Sequence, residues 1–373
     1  MIYFDNAATT KPSIKAIEKA HKFNNELYYN PSTLYSGGLN CSRELRVAKD
    51  SILKNLGAIG HEVIFTSCGS ESDNLAIFCC VKRGVYVTDI GEHAAVYKSF
   101  LELKQRGNRV EFVGLNNDGT VNETELFNLV LNEKPDFVSI MHVNNETGGI
   151  NDVNRIAKKI KQINSKIIFH VDGVQAYGKL LYRLSPDIDM YSISAHKING
   201  VKGVGALVKR KGLTLSPLIY GGGQESGYRS GTENVFGIKV FHYVGEEHYS
   251  ELKTNYEKVS KIKRALIDGL DKEHVKIISS ENSSPYVLTI AIPGLRGEVI
   301  MHSLELKHLI VGNGSACSSK NRYSRVIEAC GYPNEILDGV VRLSFSTENT
   351  IDEAYSAIKI INETIIELKR KLL

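Results

Sequence analysis

Short apolar runs alternate with longer segments whose apolar residues recur every three to four positions, and this alternation most restricts how the chain can fold. The runs are Val63–Thr66, Val85–Thr88, Val110–Val113, Phe137–Met141, Ile167–Val171, Ile188–Ser192 and Val204–Val208. Between the earlier ones lie helix-period stretches such as Ser72–Val81, Ala94–Gln105, Glu123–Leu131 and Val153–Ile163. Strands joined through helices pair in parallel, because the crossover returns the chain to the same end of the sheet. The pattern therefore predicts an α/β domain with a mostly parallel seven-stranded sheet and helices on both faces. Only loop-length segments separate the last two runs, which predicts an antiparallel member.

Beyond residue 250 the pattern changes. Leu252–Leu270 carries Val259, Ile262, Leu266 and Leu270 at helical spacing. Strand-like runs follow at Val275–Ile278, Val287–Ile292, His308–Val311 and Val340–Phe345. A closing helix from Ile351 has the stripe Ala354, Ile358, Ile361, Ile365 and Leu368. The expected division is a large domain over residues 15–250 and a smaller α+β domain made of 1–14 and 251–373.

Composition excludes several classes. A net charge of +4 over 373 residues is too small and dispersed for a nucleic-acid surface. No run approaches the ~20 apolar residues of a membrane span, and Met1-Ile2-Tyr3-Phe4-Asp5 has no secretory pattern, so a cytoplasmic protein is expected. Its six cysteines (41, 68, 79, 80, 317 and 330) should then be reduced thiols. None has zinc spacing, and no metal is expected.

The stretch Ser194-Ala195-His196-Lys197 follows the strand-like Asp189–Ile193. A lysine at the end of a buried strand is poorly hydrated, which lowers its pKa and makes its amine a nucleophile; the bland alternative is a solvated loop lysine. Lys166–Val171 ends in Asp172, followed by Gln175. Ligands of open α/β sheets gather at the carboxyl ends of strands, so Asp172 and Lys197 can meet one ligand, although an acid there is also an ordinary helix cap. A lysine amine with a carboxylate is what pyridoxal 5'-phosphate needs, the acid keeping the pyridine nitrogen protonated. Ser67-Cys68-Gly69-Ser70, opening a helix after a strand, offers backbone N–H groups to a phosphate, or simply caps that helix. His93 starts another helix and can stack on a flat ring or shuttle a proton. Gly173 to Gly178-Lys179 has nucleotide-loop spacing, but Leu180 stands where a magnesium-binding hydroxyl should be, and the match reads as chance. Cys317, among small residues, suits nucleophilic work once deprotonated, and Arg342, charged within an apolar run, suits a carboxylate.

Taken together, the chain resembles the cysteine desulfurases, pyridoxal-phosphate enzymes of the aspartate-aminotransferase fold type. The resemblance runs in order through Tyr3-Phe4-Asp5-Asn6-Ala7-Ala8-Thr9-Thr10, Ser70-Glu71-Ser72-Asp73-Asn74, Glu92-His93 and His142-Val143-Asn144-Asn145-Glu146. It continues through Val171-Asp172-Gly173-Val174-Gln175, Ser194-Ala195-His196-Lys197, Arg229-Ser230-Gly231-Thr232-Glu233-Asn234, Gly314-Ser315-Ala316-Cys317 and Val341-Arg342-Leu343-Ser344-Phe345-Ser346. It implies that Lys197 carries the cofactor and moves a proton, that His93 stacks on the ring, and that Asp172 and Gln175 meet the ring nitrogen and hydroxyl. Gly69, Ser70, Ser194 and His196 would hold the phosphate, with Thr232 reaching in from the second subunit of a homodimer. Asn145 and Arg342 would fix the carboxylate of L-cysteine. Cys317 would take the sulfur as a persulfide, release alanine, and deliver the sulfur to an acceptor protein of iron–sulfur cluster assembly or tRNA thiolation. The rival readings are a selenocysteine lyase or class V aminotransferase of the same fold, and a non-catalytic scaffold that binds the cofactor. The chain departs from the family pattern at Tyr35, Cys68, Val201 and Ser226.

Overall fold

A computed structural model describes residues 1–81, 83–312 and 322–371. The chain opens with strand β1 (Ile2–Phe4) and helices α1 (Ile14–Glu26) and α2 (Ser36–Leu56). The alternating part follows as β2 (His61–Thr66), α3 (Gly69–Cys80), β3 (Val85–Asp89), α4 (Ala94–Gln105), β4 (Arg109–Val113) and α5 (Glu123–Glu133). It continues as β5 (Phe137–Ser139), α6 (Val153–Ile163), β6 (Ile168–Asp172), β7 (Met190–Ser194) and β8 (Gly205–Arg210). Next come α7 (Val235–Ser250), α8 (Leu252–Gly269), β9 (Lys276–Ile277), β10 (Val287–Ala291), α9 (Gly297–Leu306) and β11 (Leu309–Val311). The chain closes with α10 (Arg325–Ala329), α11 (Asn334–Leu337), β12 (Val340–Ser344) and α12 (Ile351–Arg370).

The main sheet has seven strands in the order β2-β8-β7-β6-β5-β3-β4. Strands β3 to β7 pair in parallel, as the alternation predicts. The antiparallel member is β8, which runs against both β7 and β2. Two reversals restore direction, so β2 points the same way as the parallel strands. The carboxyl ends of β2, β3, β6 and β7 consequently open on one edge, where an α/β sheet places its ligands.

Period-2 alternation sends successive side chains to opposite faces. Tyr86, Phe137, Met190 and Leu207 pack with α3 and α4 on one face. Val87, Val138, Tyr191, Ala206 and Val208 join the core on the other, with α1, α2, α6 and α7. Several expected boundaries move by one or two residues. Strand β7 starts at Met190 rather than Ile188 because Asp189 turns its carboxylate to Lys161, Arg210 and the Phe169 N–H. Helix α7 is buried along most of its sides, so it lacks the one-sided stripe that marks an amphipathic helix.

The C-terminal elements enclose a second core. Val259, Ile262 and Leu266 of α8 meet Leu288, Ile290, Val341 and Leu343 of the sheet β12-β10-β9, together with Ala354, Ile361 and Ile365 of α12. Helix α12 starts in a capping box formed by Thr350 and Glu353. Strand β1 pairs with β11, after which residues 5–13 cross to the large sheet. There Thr10 N–H reaches His196 O at 2.9 Å and Ser13 N–H reaches Asn199 O at 2.8 Å. Among the described residues no helix is long and apolar enough to cross a membrane.

Candidate active site

Lys197 ends the short 3-10 turn that follows β7. Its Nζ donates to Ala7 O at 2.5 Å and Ala8 O at 2.9 Å, both on the segment arriving from β1. Burial, helped by the Arg342 guanidinium and opposed by Asp172 and Asp5, brings the amine down from 10.5 to about 8. As pH rises through this value the ammonium loses its proton and the nucleophile appears. An aldehyde reagent is therefore expected to modify Lys197 with a half-maximal rate near pH 8, whereas solvated lysines follow a pKa of ~10.4. Peptide mapping after labelling over a pH series checks this.

Asp172 closes β6, the strand next to β7. Its Oδ1 accepts the Val174 N–H at 2.9 Å; no described residue donates to Oδ2. Burial raises its pKa, and His93 and Lys197 pull it back. His93 is the N-cap of α4, with Nδ1 accepting the Ala95 N–H at 3.2 Å. That bond needs the Nδ1 lone pair, so the proton of the neutral ring sits on Nε2. Desolvation holds the imidazole below its usual pKa, keeping it neutral, against the pull of Asp172.

The turn from β2 into α3 has Cys68 as N-cap in extended conformation, with no side chain closing the helix end. Its first N–H groups are left for an anion. Gly69 belongs there because a Cβ would stand 2.8 Å from Val174 Cγ2 and 3.5 Å from Ser194 Cβ. Ser194 Oγ is buried with no partner among the described residues. A phosphate fits this cradle: uncapped amides, an orphaned hydroxyl and no Cβ in the way. Ser70 is exposed on the first turn of α3. His196 Nδ1 lies 3.1 Å from Thr9 Oγ1, and burial, with Lys197 close by, lowers the ring to about 4. Thr232 is exposed; the same loop is tied to α3 by Arg229 Nε on Glu71 Oε1 at 2.9 Å.

Arg342 lies 5% exposed in β12. Its Nη2 donates to Asp5 Oδ1 at 2.7 Å and its Nη1 to Asn145 O at 2.9 Å, while Nε is buried without a partner among the described residues. Gln175 Nε2 donates to Ala7 O at 2.9 Å, the carbonyl that Lys197 also uses. Cys317 lies outside the described residues; Gly312 on its amino side exchanges backbone hydrogen bonds with Arg342 at 2.8 Å.

Several participants escaped the sequence reading. Asp5 and the Ala7 and Ala8 carbonyls belong to a motif that the resemblance quoted without a role. Asp73, Asp89 and Glu92 are buried, Asp73 and Glu92 within electrostatic reach of Asp172, and burial raises the pKa of all three, that of Asp89 to about 7. Arg325 donates to Glu92 O at 2.6 Å and lies over the Tyr97 ring at 3.8 Å, gripping the first turn of α4 from the other core. Of the departures, Ser226 takes a left-handed conformation (φ 58°) and Tyr35 stands at the N-cap position of α2, half exposed and with no side-chain capping bond.

The class-V aminotransferase family matches residues 2–355. A cysteine desulfurase of Trichormus azollae is 35% identical over 98% of this chain and 94% of its own. A solved NifS-like protein superposes with a TM-score of 0.90 at 32% identity, covering 98% of this chain and 99% of that one. The solved structure of SspA in complex with cysteine gives 0.80 at 25% identity, over 93% and 99%. With a strand-end lysine, a neighbouring strand-end carboxylate and a buried arginine gathered at one sheet edge, and relatives matching nearly end to end, the chain belongs to the class-V aminotransferase family and is a cysteine desulfurase within it.

Proposed function

We propose that this desulfurase binds pyridoxal 5'-phosphate at the edge formed by β2, β3, β6 and β7, and moves sulfur from L-cysteine to Cys317. The observation that carries the reading is a desolvated amine, Lys197, within electrostatic reach of both Asp172 and Arg342. Lys197 would hold the cofactor covalently, Asp172 its ring nitrogen, Gln175 its ring oxygen, and His93 the face of the ring. Gly69, Ser70, Ser194 and His196 would hold its phosphate, with Thr232 contributed across a homodimer. When bound, the group supplies an electron sink for the charge left at the substrate Cα.

The chain's own residues do the rest. Arg342, with Asn145 beside it, takes the substrate carboxylate, for which a partnerless buried Nε is a ready donor. The Lys197 amine, once free, takes the Cα proton. Neutral His93 presents Nε2–H and can pass a proton at the reacting end of the substrate. The Cys317 thiolate attacks the substrate sulfur, the carbon–sulfur bond breaks, and the sulfur stays on Cys317 as a persulfide while alanine leaves. Cys317 stands five positions after Gly312, a span of at most ~18 Å for a fully extended chain.

The sulfur would then pass to an acceptor protein serving iron–sulfur cluster assembly or tRNA thiolation. A two-lobe division at residues 15–250 against 1–14 with 251–373 accords with the two cores. Exposed Leu34, Tyr35, Leu39, Ile219 and Tyr220 support a homodimer; within the chain, the Lys49–Glu225 pair at 2.7 Å binds the 219–229 segment to α2. We place the enzyme in the cytoplasm as part of the same proposal.

The test is to treat the cofactor-loaded protein with L-cysteine, quantify alanine and map the Cys317 peptide by mass. One added sulfur atom on that peptide is expected, and Cys317→Ala should lower alanine formation about 100-fold or more by removing the sulfur acceptor. Full turnover in Cys317→Ala would overturn the persulfide route.

A further inference from the structure

Lys179 carries a buried charge that the proposed chemistry leaves unused. The turns of residues 173–180 are closed by Tyr177 N–H on Gly173 O and Leu180 N–H on Ala176 O, both 3.0 Å, which brings positions 175 and 179 onto one side. Gly178 makes the bend at φ +70°, where a Cβ would press on Ile198 Cγ2 at 3.0 Å. Lys179 is thereby aimed inward, 3% exposed. Its Nζ donates to Gln175 Oε1 at 2.9 Å and lies 5.6 Å from the Tyr286 ring centroid. Among the described residues no carboxylate pairs with it. A methionine of similar length would avoid the desolvation of an unpaired ammonium, so packing gives no reason for the charge.

Hydrogen-bond chemistry does give one. An ammonium only donates, so it can meet only the oxygen of the Gln175 amide. The amide nitrogen is turned the other way, one hydrogen on Ala7 O at 2.9 Å and the second available to another acceptor. A positive charge on the amide oxygen also polarises its N–H groups, making them stronger donors.

We propose that Lys179 is a positioning residue that acts through Gln175, fixing its amide and strengthening its donation to the ring oxygen of the cofactor. This rests on the assignment of Gln175 made above. Burial, with Lys197 and Arg342 nearby, lowers the Lys179 pKa to about 7; the charge is consequently weakened and becomes fuller when an anionic oxygen arrives.

The test measures pyridoxal-phosphate affinity and the visible absorption band for the full-length wild type, Lys179→Met, Gln175→Ala and the double variant, with melting temperatures of the ligand-free proteins. Lys179→Met should bind about tenfold more weakly, the worth of one charge-assisted hydrogen bond. It should shift the absorption band as Gln175→Ala does, and melt no lower than wild type because a buried charge has gone. In the Gln175→Ala background it should have no further effect on affinity. Equal weakening in both backgrounds, or wild-type affinity in Lys179→Met, overturns the link. If Gln175→Ala itself binds like wild type, the assignment of Gln175 falls and the link with it. A weakened Gln175→Ala with an additive Lys179→Met removes the link alone.

Discussion

Lys197→Ala is expected to lower alanine formation from L-cysteine by ~10³-fold or more, because covalent attachment and proton transfer are lost together. The size follows from the environment that the fold builds around this amine. A solvated lysine is almost entirely protonated at pH 7; with its pKa brought to about 8, Lys197 has roughly a tenth of its amine free. Lys197→Arg should fail to a similar degree, since a guanidinium stays protonated and is no nucleophile. The two Nζ hydrogen bonds to Ala7 and Ala8 carbonyls are lost in the alanine variant, but the Ala7 carbonyl keeps the Gln175 amide and Ala8 is exposed to water, so a folded protein is expected. Steady-state alanine release and circular dichroism of the same samples decide it. A folded Lys197→Ala protein keeping a tenth of wild-type turnover would remove the assignment.

The second large effect is expected at Asp172. Asp172→Asn keeps an oxygen for the Val174 N–H and the same shape, yet cannot carry the negative charge that holds a ring nitrogen protonated. Turnover should fall by ~10²-fold, the usual loss when a preorganised charge is removed from a reacting centre, while cofactor affinity changes far less. Stability should move the other way. Asp172 raises the pKa of Asp73 and Glu92 by repulsion, so a neutral amide relieves both. The sign is fixed by linkage: a carboxyl whose pKa is raised by folding binds more protons in the native state than in the unfolded chain, and stability falls as pH rises through that range. Ligand-free Asp172→Asn should therefore melt at or above the wild-type temperature at neutral pH. A clear fall in melting temperature together with lost turnover would mark Asp172 as a structural residue.

Chain-local signals made part of this site legible. Lys197 and Asp172 stood out because each ends an apolar run, and a strand that ends in a polar residue is readable without knowing its neighbours. The same holds for Gly69 and His93 at strand-to-helix turns. The charge of Asp73, Asp89 and Glu92 was visible, but their burial was not. Asp-rich helix starts and turns are normally solvated, and only the packing of α3 and α4 onto the sheet takes water from these three. Lys179 was read as a chance match for the same reason: its spacing was tested for one kind of loop, and nothing local shows that Gln175 is its partner.

By itself, then, the amino-acid order determined the alternation of strand and helix, the parallel character of the sheet, and the strand ends at which chemistry can occur. These are encoded in periodicities of two and about 3.6 residues, which need only neighbouring positions. Tertiary structure alone decided that β2 pairs against β8, which brings it into line with the parallel strands, and that the N-terminal segment supplies the carbonyls under Lys197. It also joined Asp5 to Arg342 across 337 positions, and made Lys179, Gln175, Ala7 and Lys197 one hydrogen-bonded series. Such contacts follow from which faces pack together, and no local pattern records that choice.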